Sequence, residues 1–293
     1  MNLRYFISRS IARLLPDKLY LSIKFRTHMG YWMDWKNPKT FCEKLQWLKV
    51  YDRHPEYTKM VDKLAAKDYI AGIIGKEYII STLAVYNSAD EVDFDALPER
   101  FVLKCTHDSG GIVVCRDKSK LDREAAREKL RKCLKCTYIV QNREYPYKDV
   151  PRRIIAEQYL DPSPDVSDLT DYKWYCFNGE PKYCQVIQDR TTKETIDFFD
   201  VDWNHQEFVG LNPAADPAAV MPSHPNNLEA QLHIAKELSK NIPFSRIDLY
   251  EVEGKVYFGE ITFFPASGMG IFKPEEWDYK LGEMIKLPQK RHE

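Results

Sequence analysis

The stretch FVLKCTHDSGG, residues 101–111, joins a short apolar run ending in a lysine to a loop that carries a hydroxyl and two adjacent glycines. Phe101 to Leu103 read as strand. A loop of this kind brings backbone N–H groups close to phosphate oxygens while Lys104 supplies a point charge. The competing reading is a plain hairpin connection, with glycines at positive φ and a solvated edge lysine. The stretch alone leaves both open, and its surroundings extend the pattern. YIISTLAVY (78–86) and GIVVC (111–115) are again short β-branched runs bounded by turn residues, and a helix is expected from Ser119 to about Lys135. Further on, RRIIAEQYL is strand-like and DPSPDVSD is a loop. WYCFNGEPKYCQVI reads as a hairpin turning at Asn178-Gly179, and SRIDLYEVEGKVYFGEIT as a second one turning near Glu253-Gly254. Asn227 is expected to cap a helix from Leu228 to about Lys240. Before residue 85 the texture is helical. Thr40 should cap FCEKLQWLKVYD, and Val61, Leu64, Ala65 and Tyr69 mark another amphipathic run. Helices first, then strands arranged as hairpins, predict an α+β fold with antiparallel sheets rather than a doubly wound parallel one.

Composition narrows the function classes. Across 293 residues, 43 Lys+Arg against 44 Asp+Glu give a formal charge of −1, which excludes a chain built chiefly to coat nucleic acid. The seven cysteines are an odd number without framework spacing and read as reduced thiols of a cytoplasmic protein. Cys133 and Cys136 form the only close pair, and with no second pair to complete a site a metal role is not expected there. Arg9 and Arg13 interrupt what would be a signal-peptide core, and no apolar run has membrane-spanning length, so no transmembrane segment is expected. Leu3, Phe6, Ile7, Leu14 and Leu15 among basic residues suit either a membrane surface or docking on the domain, and docking is the expected state. No chemistry is evident in this N-terminal part.

Two acids stand out further along. Asp248 in SRIDLY and Glu260 in FGEITF each sit in apolar alternation where the side chain should face inward, and an unpaired buried carboxylate is costly. A divalent cation between two strands would resolve that cost. Arg246 in the same strand offers the alternative, an internal salt bridge. If a cation is the answer, the two carboxylates should repel each other in its absence. Oxygen ligands with one or two carboxylates plus phosphates are what Mg²⁺ prefers, so this pair and the Lys104 loop point to a magnesium nucleotide. Asp171 and Lys173 in TDYKWYCF should share one strand face, where Lys173 can meet phosphate or a carboxylate. Glu157 in RIIAEQYL opens a segment that reads as a sheet edge free to hydrogen-bond an adenine.

The ordered series FVLKCTHDSGG, RIIAEQYL, DYKWYCFNGEPKY and FSRIDLYEVEGKVYFGEITFFPASG resembles the ATP-grasp superfamily. With CEKLQWLKVYDRHPEYTKMVDK and NREYPYKDVPRR it resembles the TupA-like branch, associated with teichuronopeptide and surface-polysaccharide biosynthesis, over roughly residues 38 to 288. The resemblance implies a helical region over 1–84, a first lobe over 85–160 and a second over 161–293, the two lobes clasping ATP between antiparallel sheets. It implies Lys104 on the α- and β-phosphates, and a loop containing His107, Ser109, Gly110 and Gly111 over the triphosphate. Glu157, Gln158, Tyr159 and Leu160 would form the hinge at adenine. Asp171 and Lys173 would open the second-lobe sheet at the nucleotide. Asp248, Glu260 and Thr262 would hold magnesium, with Arg246 aimed at an acyl phosphate. Thr262 departs from the usual Glu-x-Asn, which bears on a second metal. The implied activity is a ligation in which a carboxylate and an amine, small or glycan-linked, become an amide at the expense of ATP.

A different class also fits parts of the chain. Asp200-Val-Asp202 and Asp93-Phe-Asp95 have the Asp-x-Asp form by which many glycosyltransferases hold a metal-bound sugar nucleotide, although an aspartate-rich turn explains both.

Overall fold

The computed structural model describes residues 14–108, 110–162, 168–211 and 216–289. The N-terminal part is helical as its periodicity predicts, with α1 over Asp17–Met29, α2 over Phe41–Tyr51, α3 over Glu56–Val61 and α4 over Ala65–Ile74. Thr40 caps α2 in a reciprocal box. Its Oγ1 accepts the Glu43 N–H at 3.1 Å while Glu43 Oε2 accepts the Thr40 N–H at 3.2 Å.

Strands β1 (Thr82–Tyr86), β2 (Phe101–Cys105), β3 (Ile112–Cys115) and, after helices α5 (Arg123–Leu134) and α6 (Tyr138–Asn142), β4 (Ile154–Gln158) form an antiparallel sheet in the order β1-β4-β2-β3. Helix α5 starts four residues later than the sequence suggests, because Asp122 rather than Ser119 caps it, accepting Ala125 N–H at 2.9 Å. Phe101, Leu103 and Cys105 of β2 pack with Ala126 and Leu130 of α5 in a core of their own.

The second sheet has six strands. β5 (Asp171–Phe177), β6 (Glu180–Gln188), β7 (Thr195–Asp200) and β8 (His205–Gln206) follow one another, and beyond β9 (Val209–Gly210) and helix α7 (Leu228–Ser239) come β10 (Phe244–Val252) and β11 (Lys255–Thr262), giving the order β11-β10-β5-β6-β7-β8. Both expected hairpin turns form, with positive φ at Asn178, Gly179, Glu253 and Gly254. Asn227 precedes α7 without capping it. Its amide donates to Gly254 O at 2.8 Å and tethers the helix start to the β10–β11 turn. β12 (Phe272–Lys273) pairs with β9, and α8 (Glu276–Met284) ends the described chain against α2. One core joins the six-stranded sheet to the N-terminal helices, from Leu21 and Phe41 to Trp174, Phe244 and Leu281.

Candidate active site

Period-two alternation divides each sheet into a core face and a cleft face. In β2 the odd residues enter the core, so Val102 and Lys104 face the other way, and Glu157 of β4 lies opposite Val102. In the larger sheet Asp171 and Lys173 of β5, Gln185 and Ile187 of β6, and Arg246, Asp248 and Tyr250 of β10 share one face. These two faces border a single cleft of about 540 Å³ that also takes in Gln158, Tyr159, Leu160 and Glu260.

A register shift brings the key carboxylates together. Asp248 pairs with Glu260 and Leu249 with Phe258, which leaves Gly259 as the extra residue of a bulge. Any Cβ at Gly259 would stand 2.9 Å from Asp248 O, so the close strand approach requires glycine there. Across β5, β10 and β11 the register therefore lines up Lys173, Asp248 and Glu260 in one row.

Asp248 is 1% exposed and fully engaged. Arg246 Nε and Nη2 donate to its two oxygens at 2.7 Å each, and Lys173 Nζ pairs with the same carboxylate. The expectation of a repelling carboxylate pair is thereby corrected: in this chain the internal salt bridge exists, and Arg246 lies against both acids. Lys173 also lies 3.3 Å from Asp171, whose other oxygen meets Arg190 at 3.0 Å. Glu260 is half-open to the cleft, 3.4 Å from Lys63 and 3.7 Å from Arg246, and Thr262 Oγ1 bridges it to Arg246 at 3.5 and 3.2 Å. Burial would raise the Glu260 pKa, but Lys63, Lys173, Arg246 and Lys104 outweigh it and hold it at about 2.

On the opposite face Lys104 pairs with Glu157 at 2.6 Å, and Lys67 of α4 takes the other Glu157 oxygen at 2.5 Å. β4 is paired on both sides, by β1 and β2, so the edge reading of RIIAEQYL is corrected. Its backbone is occupied through Gln158, whose N–H donates to Ser81 O at 3.0 Å, and the segment that emerges into the cleft is Tyr159-Leu160. His107 is buried away from the cleft, its pKa pushed down by burial and then by Arg152. Ser109 lies outside the described residues. Gly110 and Gly111 do not need positive φ. Gly111 instead fits where a Cβ would stand 2.9 Å from Cys105 and from Cys133.

Lys63, Lys67, Arg190 and Tyr250 were not singled out from the sequence. Lys63 lies in the turn between α3 and α4 and Lys67 in the first turn of α4, so the two share no helix face that the sequence VDKLAAKDY could have signalled. The Asp-x-Asp segments are turn structures. Asp200 accepts Asp202 N–H at 3.0 Å and Asn204 N–H at 2.8 Å, and Asp93 accepts Asp95 N–H at 3.0 Å; none of them borders the cleft. The oxygen donors that do meet there, the Asp248 and Glu260 carboxylates in one row and the Thr262 hydroxyl opposite Arg246, are of the kind a hard divalent cation shares with phosphates. Among the described residues no group of three or more His, Cys, Asp or Glu side chains could hold a metal alone.

The family described as TupA-like ATPgrasp matches residues 43–286. A search of curated proteins found no match. Similar solved structures include a D-alanine–D-alanine ligase from Bacillus anthracis complexed with ATP, 16% identical over 77% of this chain and 63% of that one, with a TM-score of 0.39. The D-alanine–D-alanine ligase of Helicobacter pylori is 14% identical over 87% of this chain and 68% of its own, with a TM-score of 0.44. The ATP-grasp ligase PsnB, complexed with minimal precursor, Mg and ADP, is 12% identical over 76% and 57%, with a TM-score of 0.37. This chain thus spans less than two thirds of the first of these ligases, and all three likenesses are distant. The family match covers most of the chain and includes both sheets of the cleft. The chain belongs to the TupA-like ATP-grasp family.

Proposed function

We propose that the chain is an ATP- and Mg²⁺-dependent carboxylate–amine ligase that forms an amide through an acyl phosphate, acting on the cytoplasmic side in bacterial surface-polysaccharide biosynthesis. The observation that carries this reading is the meeting of two charged faces across one cleft. Lys104 stands on one side and the Lys173, Asp248, Glu260 row with Arg246 on the other. The lysines suit phosphate oxygens, and the emerging Tyr159-Leu160 backbone with Val102, Ile112 and Ile187 suits an adenine. Asp248, Glu260 and Thr262 would hold magnesium, which supplies charge neutralisation on the β- and γ-phosphates.

The substrate carboxylate attacks the γ-phosphorus and ADP departs. The amine then attacks the acyl carbon, phosphate departs, and the amine gives up a proton. Such a sequence needs positioning and fixed charge more than a protein nucleophile. Arg246 and Lys173 offer both, because their pairing with Asp248 holds them at the cleft wall. Among the described residues no helix is long and apolar enough to cross a membrane, and the substrates are taken as small or glycan-linked molecules. ADP release from MgATP, measured against amino acids, amino sugars and uronic acids in pairs, tests the reading. ADP appearing only when a carboxylate and an amine are both present supports ligation. Release of UDP or GDP from a sugar nucleotide, with MgATP inert, would replace it with glycosyl transfer.

A further inference from the structure

Lys67 stands outside the cleft wall yet is tied to it through one carboxylate. Its Nζ lies 2.5 Å from Glu157 Oε1 and donates to Ile80 O at 2.6 Å, while Glu157 Oε2 lies 2.6 Å from Lys104 Nζ. All three side chains are nearly enclosed, at 12% exposure for Lys67, 6% for Glu157 and 16% for Lys104. Glu157 and Lys104 border the large cleft. Lys67 borders only a small cavity of about 20 Å³ behind them. One carboxylate is therefore shared between a lysine that faces the cleft and a lysine that a ligand in the cleft does not border.

A single buried carboxylate needs one cation, and here it has two. Were Lys104 the sole partner, turning it toward a ligand would strand Glu157 enclosed and unpaired, at a penalty that falls directly on ligand affinity. A second cation on the far oxygen removes that penalty. Without Glu157 the two ammonium groups would face each other with no negative charge between them. The electrostatics agree with this sharing. Burial alone would raise the Glu157 pKa, yet Lys104 and then Lys67 hold it below the ordinary carboxylate range. Burial pushes Lys67 down and Glu157 opposes it.

We propose that Lys67 is a positioning residue for nucleotide binding, keeping Glu157 paired when Lys104 leaves that carboxylate for the phosphate oxygens of ATP. The inference rests on the nucleotide reading of the cleft given above.

Calorimetric titration of the full chain with MgATP, with melting of the nucleotide-free protein followed alongside, tests it. Lys67→Met is expected to weaken MgATP binding about tenfold, because Lys104 becomes the only partner of Glu157. Adding Glu157→Gln to that variant should return the affinity to within about twofold of wild type, since an amide makes no ionic claim on Lys104. Lys67→Arg keeps the charge and should bind as wild type does. A residue that served only the fold would lower the melting temperature without this rescue. Glu157→Gln alone supplies an arm that does not depend on Lys67→Met folding. It should melt earlier than wild type yet bind MgATP at least as tightly. Unchanged affinity in Lys67→Met, a loss that Glu157→Gln fails to recover, or weaker binding by Glu157→Gln alone would each overturn the proposal. A wild-type chain that binds no MgATP would instead overturn the nucleotide reading, and this inference with it.

Discussion

Asp248 accepts two guanidinium hydrogen bonds and a lysine while almost wholly enclosed, so its removal takes the nearest counter-ion from two enclosed cations and leaves Lys173 only Asp171 at 3.3 Å and Arg246 only Glu260 at 3.7 Å. Asp248→Asn is accordingly expected to lower the stability of the nucleotide-free chain by about 3 kcal/mol or more in urea denaturation, as well as abolishing turnover. Glu260 differs because it is more open and its pKa is depressed to about 2. A depressed acid contributes stability that is present above its unfolded pKa, near the ordinary carboxylate value, and is lost as pH falls through the folded one. Glu260→Gln should therefore flatten the decline of stability between about pH 4.5 and 2. Asp278 has the opposite sign. Burial outweighs its hydrogen bond from Cys42 N–H and raises its pKa to about 6. Its favourable contribution is complete below the unfolded pKa and is lost as pH rises through 6. Asp278→Asn keeps an oxygen for the Cys42 N–H and is expected to stabilise the chain above pH 6 by on the order of 2 kcal/mol, visible as a higher melting temperature at pH 8 than at pH 4 relative to wild type.

Several elements were legible because their chemistry is local, although Asn227 and Ser119 do not cap the helices expected to follow them. The Thr40 cap, the Asn178-Gly179 and Glu253-Gly254 turns and the alternation of Asp171 with Lys173 depend on neighbours within a few residues, and each appears where its residues indicate. The Lys104 loop shows the limit. Its glycines suggest either positive φ or room for phosphate, whereas Gly111 is small because Cys105 and Cys133 close over it, a neighbour relation created by packing. Among the described residues, Gly110 has only the Asp108 carboxylate near its Cβ position, at 3.7 Å. Gly111→Ala should therefore cost about 1–3 kcal/mol in chemical denaturation, as an overpacked site does, while Gly110→Ala should unfold as wild type. Equal effects at both positions would place the need for glycine in the backbone of the loop. The interior position of β4 was hidden for a similar reason. RRIIAEQYL carries the same apolar run whether it is flanked by one strand or two, and only β1, some seventy residues earlier, fills its second side.

At the scale of the whole molecule, the N-terminal helices looked free of chemistry because their chemistry is with distant partners. Lys67 of α4 meets Glu157, Lys63 in the turn before it meets Glu260, and the buried Lys49 of α2 donates to Ser267 O at 2.8 Å and Asn142 O at 2.9 Å, pairings that no local periodicity encodes. The two hydrophobic cores give this arrangement a mechanical consequence. Phe41 of α2 is fully buried against the larger sheet, its ring 4.8 Å from Phe244 and 5.7 Å from Phe272, whereas the β1–β4 sheet closes its own core with α5. Phe41→Ala removes a ring from the first core and touches nothing in the second. It is expected to cost about 3–5 kcal/mol and to speed amide exchange in α2, β5 and β10. Amides of β2 and β4 should keep the protection they have in wild type, because their core is intact and their ladder is closed on both sides by β1 and β3. If exchange accelerates equally in both sheets, the cores open as one unit, and the cleft between them would have to form and dissolve in a single step.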